Sequence, residues 1–294
     1  MDLDLVKGIT AAQLLKGLGV VATLVAVKKT VTVLTATYTP PDKLHVDTNR
    51  GPTDTVVLYQ FPRPTGVAFP SLSPPCVKLE AYLRLCGVSY VNRFTIAGMN
   101  KSPMGTGPFV SLNGVLHADS NLIIPMLEEM GLSKGLNSRL TPVQQAQAHA
   151  IQSMVDDIVY HAQVYERWQL DDNWASFKQI VFGQAPLFIR LLVAPMVRAK
   201  TVTSLHAQKI GRHTYREVLE KHGRCIDALA ALLGDQDFFF GGDKPTLVDV
   251  TVFAHLGCIL ALPLKTMGLA QQIRAKPNLV RLVERMAALT KMMA

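Results

Sequence analysis

The sequence predicts two packed parts, a small α/β layer followed by an all-α domain, behind an apolar N-terminal segment. Three observations carry this. Between residues 55 and 130, β-branched and aromatic runs alternate with helical patterns in the order strand, helix, strand, connection, hairpin, helix, which fits a βαβ unit joined to a ββα unit. From Thr141 onward the periodicity is helical, with no further strand-like alternation. Hydrophobic residues make up 49% of the 294 residues and charged residues 18%, enough apolar material for two cores.

The first domain is expected over residues 55–132. Residues 55–61 (Thr-Val-Val-Leu-Tyr-Gln-Phe) form a buried strand. Ser73-Pro74-Pro75 then opens a helix, with serine at the cap and proline at the first helical position, and the helix stops at Gly87. Leu79, Tyr82, Leu83 and Cys86 share its buried face. Residues 89–94 give a second strand, and residues 108–112 and 114–117 a hairpin turning at Asn113-Gly114. Asp119-Ser120 leads into a helix over 122–130. The helical domain, residues 140–294, is expected to hold long helical stretches over 142–169 and 203–233.

Upstream, residues 9–27 contain only Gln13 and Lys16 as strongly polar side chains, and Lys28-Lys29 follows. Such a helix would rise about 28 Å, close to the hydrocarbon thickness of a bilayer. The acidic start does not fit a cleaved signal. The segment reads either as a membrane attachment with the lysines on the cytoplasmic side, or as an extra helix lying on the globular body. The stretch 39–54 reads as a linker, making 1–54 one unit.

The net charge of +8 admits nucleic acid, an anionic membrane or an acidic small substrate as partner. The basic residues are scattered with no aromatic platform, which argues against nucleic acid. Cys76, Cys86, Cys225 and Cys258 are too few and too spread for a disulfide framework and lack zinc spacing, so they read as reduced thiols in a cytosol-facing compartment. His206, His213 and His222 do not converge on a metal.

Ser73-Pro74-Pro75-Cys76, Gly107-Pro108 and Asp119-Ser120 together resemble, in order, the thioredoxin-like N-terminal domain of glutathione transferases. The run from Phe238 through Gly241-Gly242 to Thr246 and Asp249 resembles the folding-nucleation box of their helical C-terminal domain, with Thr246 and Asp249 structural. A narrower resemblance, over residues 55–290, is to the failed axon connections family, a relative of the metaxins. It rests on Ser71-Leu72-Ser73-Pro74-Pro75-Cys76, Ile210-Gly211-Arg212-His213, the stretch 239–253 and Lys276-Pro277-Asn278.

The resemblance implies a glutathione-transferase fold, glutathione as cofactor, a membrane-proximal habit and a homodimer; the expected location is the cytoplasmic side of a mitochondrial or endoplasmic-reticulum membrane, or otherwise the cytoplasm. It leaves catalysis open, because metaxin-like members resemble transferases whose fold serves protein import or contact.

The implied site places Ser73 as the catalytic hydroxyl beside a glutathione thiolate at a helix N-terminus. Its alternative role is a plain N-cap. Pro108 is expected to be cis, and Gly107 stands where the superfamily has an aliphatic residue. Asp119 and Ser120 are expected to hold the γ-glutamyl end, with Arg63 and Lys101 as further carboxylate contacts. Ser73-x-x-Cys76 lacks the first cysteine of a dithiol pair, which disfavours redox exchange. Arg212 and His213 are read as lining the cleft or capping a carbonyl, Asp156-Asp157 and Asp171-Asp172 as solvated, and the apolar stretch 180–197 as core or pocket wall.

Two functions follow as expectations. One is a glutathione-dependent transferase acting on an apolar electrophile, with isomerase or lyase chemistry open at the same site. The alternative to this leading expectation is a non-catalytic membrane adaptor of the metaxin type.

Overall fold

The computed structural model describes residues 53–292. The apolar segment 9–27 and nearly all of the linker lie outside the described residues.

Four strands form one mixed sheet in the order β2-β1-β3-β4: β1 (Val56–Gln60), β2 (Tyr90–Phe94), β3 (Phe109–Leu112) and β4 (Val115–Ala118). Strands β1 and β2 are parallel, so a crossover must join them, and α1 (Pro74–Leu85) supplies it. Strand β3 runs antiparallel to both β1 and β4. Asn113 (φ 52°) and Gly114 (φ 84°) make the two-residue turn between β3 and β4, the geometry that matches strand twist. Helix α2 (Ser120–Glu129) closes the layer.

Helix α1 is buried on two sides. Leu79, Tyr82 and Leu83 pack with Ile123, Ile124 and Leu127 of α2 in the core beneath the sheet. Val77 and Ala81 join the core of the helical domain, alongside Phe253 and Leu256. Phe69, on the loop ahead of α1, lies against Gly257, where a Cβ would meet its ring at 2.3 Å, so only glycine admits that approach.

The helical domain contains α3 (Pro142–Met154), α4 (Tyr160–Trp168), α5 (Asp171–Phe182), α6 (Ala194–Ala207), α7 (Tyr215–Leu233), α8 (Leu247–Leu260), α9 (Gly268–Arg274) and α10 (Pro277–Thr290). A π-helical turn at Val155–Val159 joins α3 to α4, and another at Ile189–Val193 leads into α6. Helix α8 is buried from Val248 to Ile259 and forms the axis of the domain.

Two expectations are corrected here. The stretch 203–233 is not one helix. Lys209 takes a left-handed conformation (φ 68°), Ile210–Arg212 form a 3-10 turn, and Thr214 restarts the chain with a capping box to Glu217. The stretch 180–197 is only partly core. Val193 and Ala194 are buried, but Leu187, Leu191, Leu192 and Met196 are 65%, 61%, 55% and 45% exposed. Among the described residues, no helix is long and apolar enough to cross a membrane.

Candidate functional site

The sheet register assembles the site. Tyr59 pairs with Phe109 and Phe109 with Ala118, so Pro108, Asp119 and the exit of β1 meet at one end of the sheet. The chain leaving β1 returns there to start α1 at Ser73. Lys78 on α1 reaches Asn121 at the start of α2 (Nζ–Oδ1 2.7 Å), which fixes the two helix openings against each other.

The Gly107–Pro108 peptide is cis. A Cβ on residue 107 would meet the Met99 sulfur at 3.0 Å, so Met99 fills the space that a larger side chain would need. Asp119 holds φ 72° and ψ 113°, a conformation costly for a non-glycine residue, and its carboxylate accepts the Asn121 N–H at 2.9 Å. Ser120 is buried, and its hydroxyl makes no hydrogen bond to a described residue.

Ser73 occupies the N-cap position of α1, but its side chain makes no capping hydrogen bond. Its carbonyl accepts from Cys76 N–H (3.0 Å) and Val77 N–H (3.1 Å). Pro74 and Pro75, the first two helical residues, have no N–H. The donors that a helix normally leaves open at this end are therefore absent or used. Burial, opposed in part by the neighbouring Ser73 side chain, pushes the Cys76 thiol up to about 11, so it stays protonated and packs as a small apolar group.

The loop ahead of Ser73 is tied to the helical domain. Arg167, itself buried, donates to Leu72 O and Cys258 O, both at 2.8 Å, and the Cys258 thiol donates to Ser71 O. Trp174 and Phe177 of α5 cluster with Leu262 and Leu264, and Val67 and Leu72 of this loop pack against that cluster.

Beneath the site lies a polar group for which the sequence reading had no place. Lys78, 1% exposed, pairs with Asp156 in the first π-helical turn (Nζ–Oδ2 2.8 Å), and His255 of α8 stands 3.5 Å from the other Asp156 oxygen. Asp156 is thus half-buried and paired, which corrects its reading as solvated, whereas Asp157 is 74% exposed. Burial pushes His255 down to about 4 against the pull of Asp156, which keeps the ring neutral. A lysine near the start of a helix with no acid in its first turn was the available signal, since a cation there needs a partner from elsewhere.

Arg63 lies 3.8 Å from Glu80 and over the Phe94 ring, while Lys101 is exposed at the end of the 3-10 turn Ala97–Lys101. Burial alone would raise the Glu80 carboxyl, but hydrogen bonds from Gln60, Asn92 and Arg84 hold it below the usual range. Arg212 caps a carbonyl, donating to His206 O at 2.9 Å.

A thioredoxin-like layer with a cis-proline and an Asp-Ser helix opening, carried on a helical domain with a buried capping box, defines a glutathione-transferase-like protein. The sequence profile of the Glutathione S-transferase N-terminal domain matches residues 74–174, and that of the C-terminal domain matches residues 223–286. The chain belongs to the glutathione S-transferase superfamily. It is 32% identical over 276 residues to Failed axon connections of Drosophila melanogaster, covering 86% of this chain but only 62% of that relative's length. Human Metaxin-2 is 26% identical over 210 residues, 70% of this chain and 78% of that protein. In fold alone, a glutathione transferase family member from Pseudomonas fluorescens, solved with two glutathione bound, superposes with a TM-score of 0.52 at 12% identity, over 82% of this chain and 92% of that one.

Proposed function

We propose that this chain is a non-catalytic contact protein built on the glutathione-transferase fold and working at a membrane surface. The observation that carries this reading is the α1 N-terminus. A thiolate held at a helix end needs backbone N–H groups aimed at it. Here two positions are proline and the next two N–H groups are bonded to Ser73 O. The Ser73 hydroxyl is the one donor left. Bringing a thiol pKa from about 8.5 to neutrality takes roughly 2 kcal/mol of thiolate stabilisation. A single neutral hydrogen bond contributes about 1 kcal/mol.

Two further features support the reading. Trp174 and Phe177 cover the apolar side of the loop leading to Ser73, where an electrophile would need room. Leu187, Leu191, Leu192 and Met196 stand exposed in a stretch that has no Asp or Glu between Asp172 and Glu217. An apolar patch in a cationic frame complements an anionic lipid surface. The similarity to Failed axon connections and the metaxins points the same way.

A glutathione-dependent transferase is the second reading, favoured by the open Ser120 hydroxyl beside cis Pro108. Conjugation of reduced glutathione to an activated aryl chloride by the full chain separates the two. The contact reading expects the buffer rate, unchanged by Ser73→Ala. A chain-dependent rate that falls about a hundredfold in Ser73→Ala would overturn it. Co-sedimentation with anionic vesicles, reduced by salt and by Leu191→Glu, tests the membrane part, and retention indifferent to both removes the patch from the account.

A further inference from the structure

The helical domain contains a concave site that shares no residue with the helix opening at Ser73. A cavity of about 460 Å³ opens between the first π-helical turn, the break between α6 and α7, and α7 itself. No residue of the sheet domain lines it. Its apolar lining comes from Met154, Ile158, Ile210 and Cys225, and its basic groups are Lys209, Lys221 and Arg224. The side chains of these three cations make no hydrogen bond or ion pair with any described residue. The one carboxylate in the lining, Asp157, is engaged by His161 (Nδ1–Oδ1 3.0 Å).

The wall is built rather than incidental. The π-helical turn Val155–Val159 widens the helix where Asp157 and Ile158 face the cavity. Opposite, Ile210-Gly211-Arg212-His213 is held by three bonds: Tyr165 OH to His213 O (3.0 Å), Gln169 Nε2 to Gly211 O (2.8 Å) and Arg212 Nε to His206 O (2.9 Å). Any Cβ at residue 211 would lie 2.7 Å from the His206 nitrogen, so the turn requires glycine. This four-residue motif, prominent in the sequence, shapes this cavity, with Ile210 and His213 in its lining.

We infer that this cavity binds a small amphiphilic anion, a phosphate or carboxylate group carried on an apolar body. Unpaired cations around a low-dielectric concavity concentrate anions there, and the volume lies in the range of small-molecule sites. The floor of Met154, Ile158 and Ile210 calls for an apolar portion that inorganic phosphate lacks. The inference is independent of the function proposed above.

Calorimetric titration of octyl phosphate into the full chain tests it, with inorganic phosphate and phosphatidic-acid vesicles as separate arms. Saturable binding of octyl phosphate is expected, weakened about tenfold or more by Lys221→Glu and by Arg224→Glu. Both residues are exposed, and thermal unfolding checks that the variants remain folded. Inorganic phosphate should bind at least about tenfold more weakly, and Ile158→Asn should narrow that gap. Equal affinity for both phosphates, no binding of octyl phosphate, or binding indifferent to both charge reversals overturns the inference. So does vesicle binding sensitive to Lys221→Glu with no binding of the soluble amphiphile.

Discussion

Lys78 and Asp156, 78 residues apart, meet at 2.8 Å across the junction of the two domains. One belongs to the helix that opens at Ser73, the other to the π-helical turn of the long helical run. Lys78 also holds Asn121, so one ammonium ties together α1, α2 and the helical domain.

Removing one partner of a buried pair leaves the other charge uncompensated. Asp156→Ala is expected to lower unfolding stability by about 3 kcal/mol, because Lys78 is 1% exposed and has no path to water. Lys78→Met should cost less, roughly 1 kcal/mol, since Asp156 is 23% exposed and can be hydrated. Urea denaturation of both variants checks the order; equal losses would remove the asymmetry from the account.

Asp249 is buried at the start of α8 and accepts from Thr246 N, Thr246 Oγ1 and Phe239 N at 2.7, 2.8 and 2.9 Å. Asp249→Ala strands three donors in the core. At about 1 kcal/mol or more for each unmet donor, the loss is about 3 kcal/mol or more, a large part of the roughly 5–15 kcal/mol that holds a domain folded. The checks are a lowered melting temperature and reduced soluble yield.

Much of this framework was legible in the sequence. The buried strand 56–60, the helix opening at Ser73-Pro74-Pro75, the Asn113-Gly114 turn and the Thr246/Asp249 box are local signals, each decided by residues within a few positions of one another. The Lys78–Asp156–His255 group was not legible, because each member looks ordinary until the two domains pack. The break at Lys209 had a local mark, the Thr214-x-x-Glu217 capping spacing, but helical periodicity on both sides masked it. The exposure of Leu187, Leu191 and Leu192 is a tertiary outcome: composition alone cannot tell an apolar run that packs inward from one that faces out. The paired prolines were visible as a helix start, while their effect on thiol chemistry needed the bonds from Cys76 and Val77 to Ser73 O.

His222 and His255 make stability depend on pH. Burial pushes each down to about 4, against 6.5 for a free ring; His222 gains a Gln272 bond at Nδ1, and its buried Nε2 has no partner among the described residues. The unfolded chain therefore takes up protons first. Their contribution is complete above about pH 6.5 and is lost as pH falls toward 4, with a slope approaching two protons. Urea midpoints measured from pH 7 to 4.5 should fall accordingly, and His222→Leu should remove about one proton from the slope. A slope unchanged by that substitution would contradict the assignment.

The central claim is that the α1 N-terminus, without free N–H donors, does not activate a thiol. The ultraviolet thiolate absorption of glutathione, recorded at neutral pH with an excess of the full chain, tests it most directly. A spectrum no stronger than that of free glutathione at the same pH is expected, for the native chain and for Ser73→Ala alike. An added thiolate band in the native chain that disappears in Ser73→Ala would contradict it and restore the transferase reading.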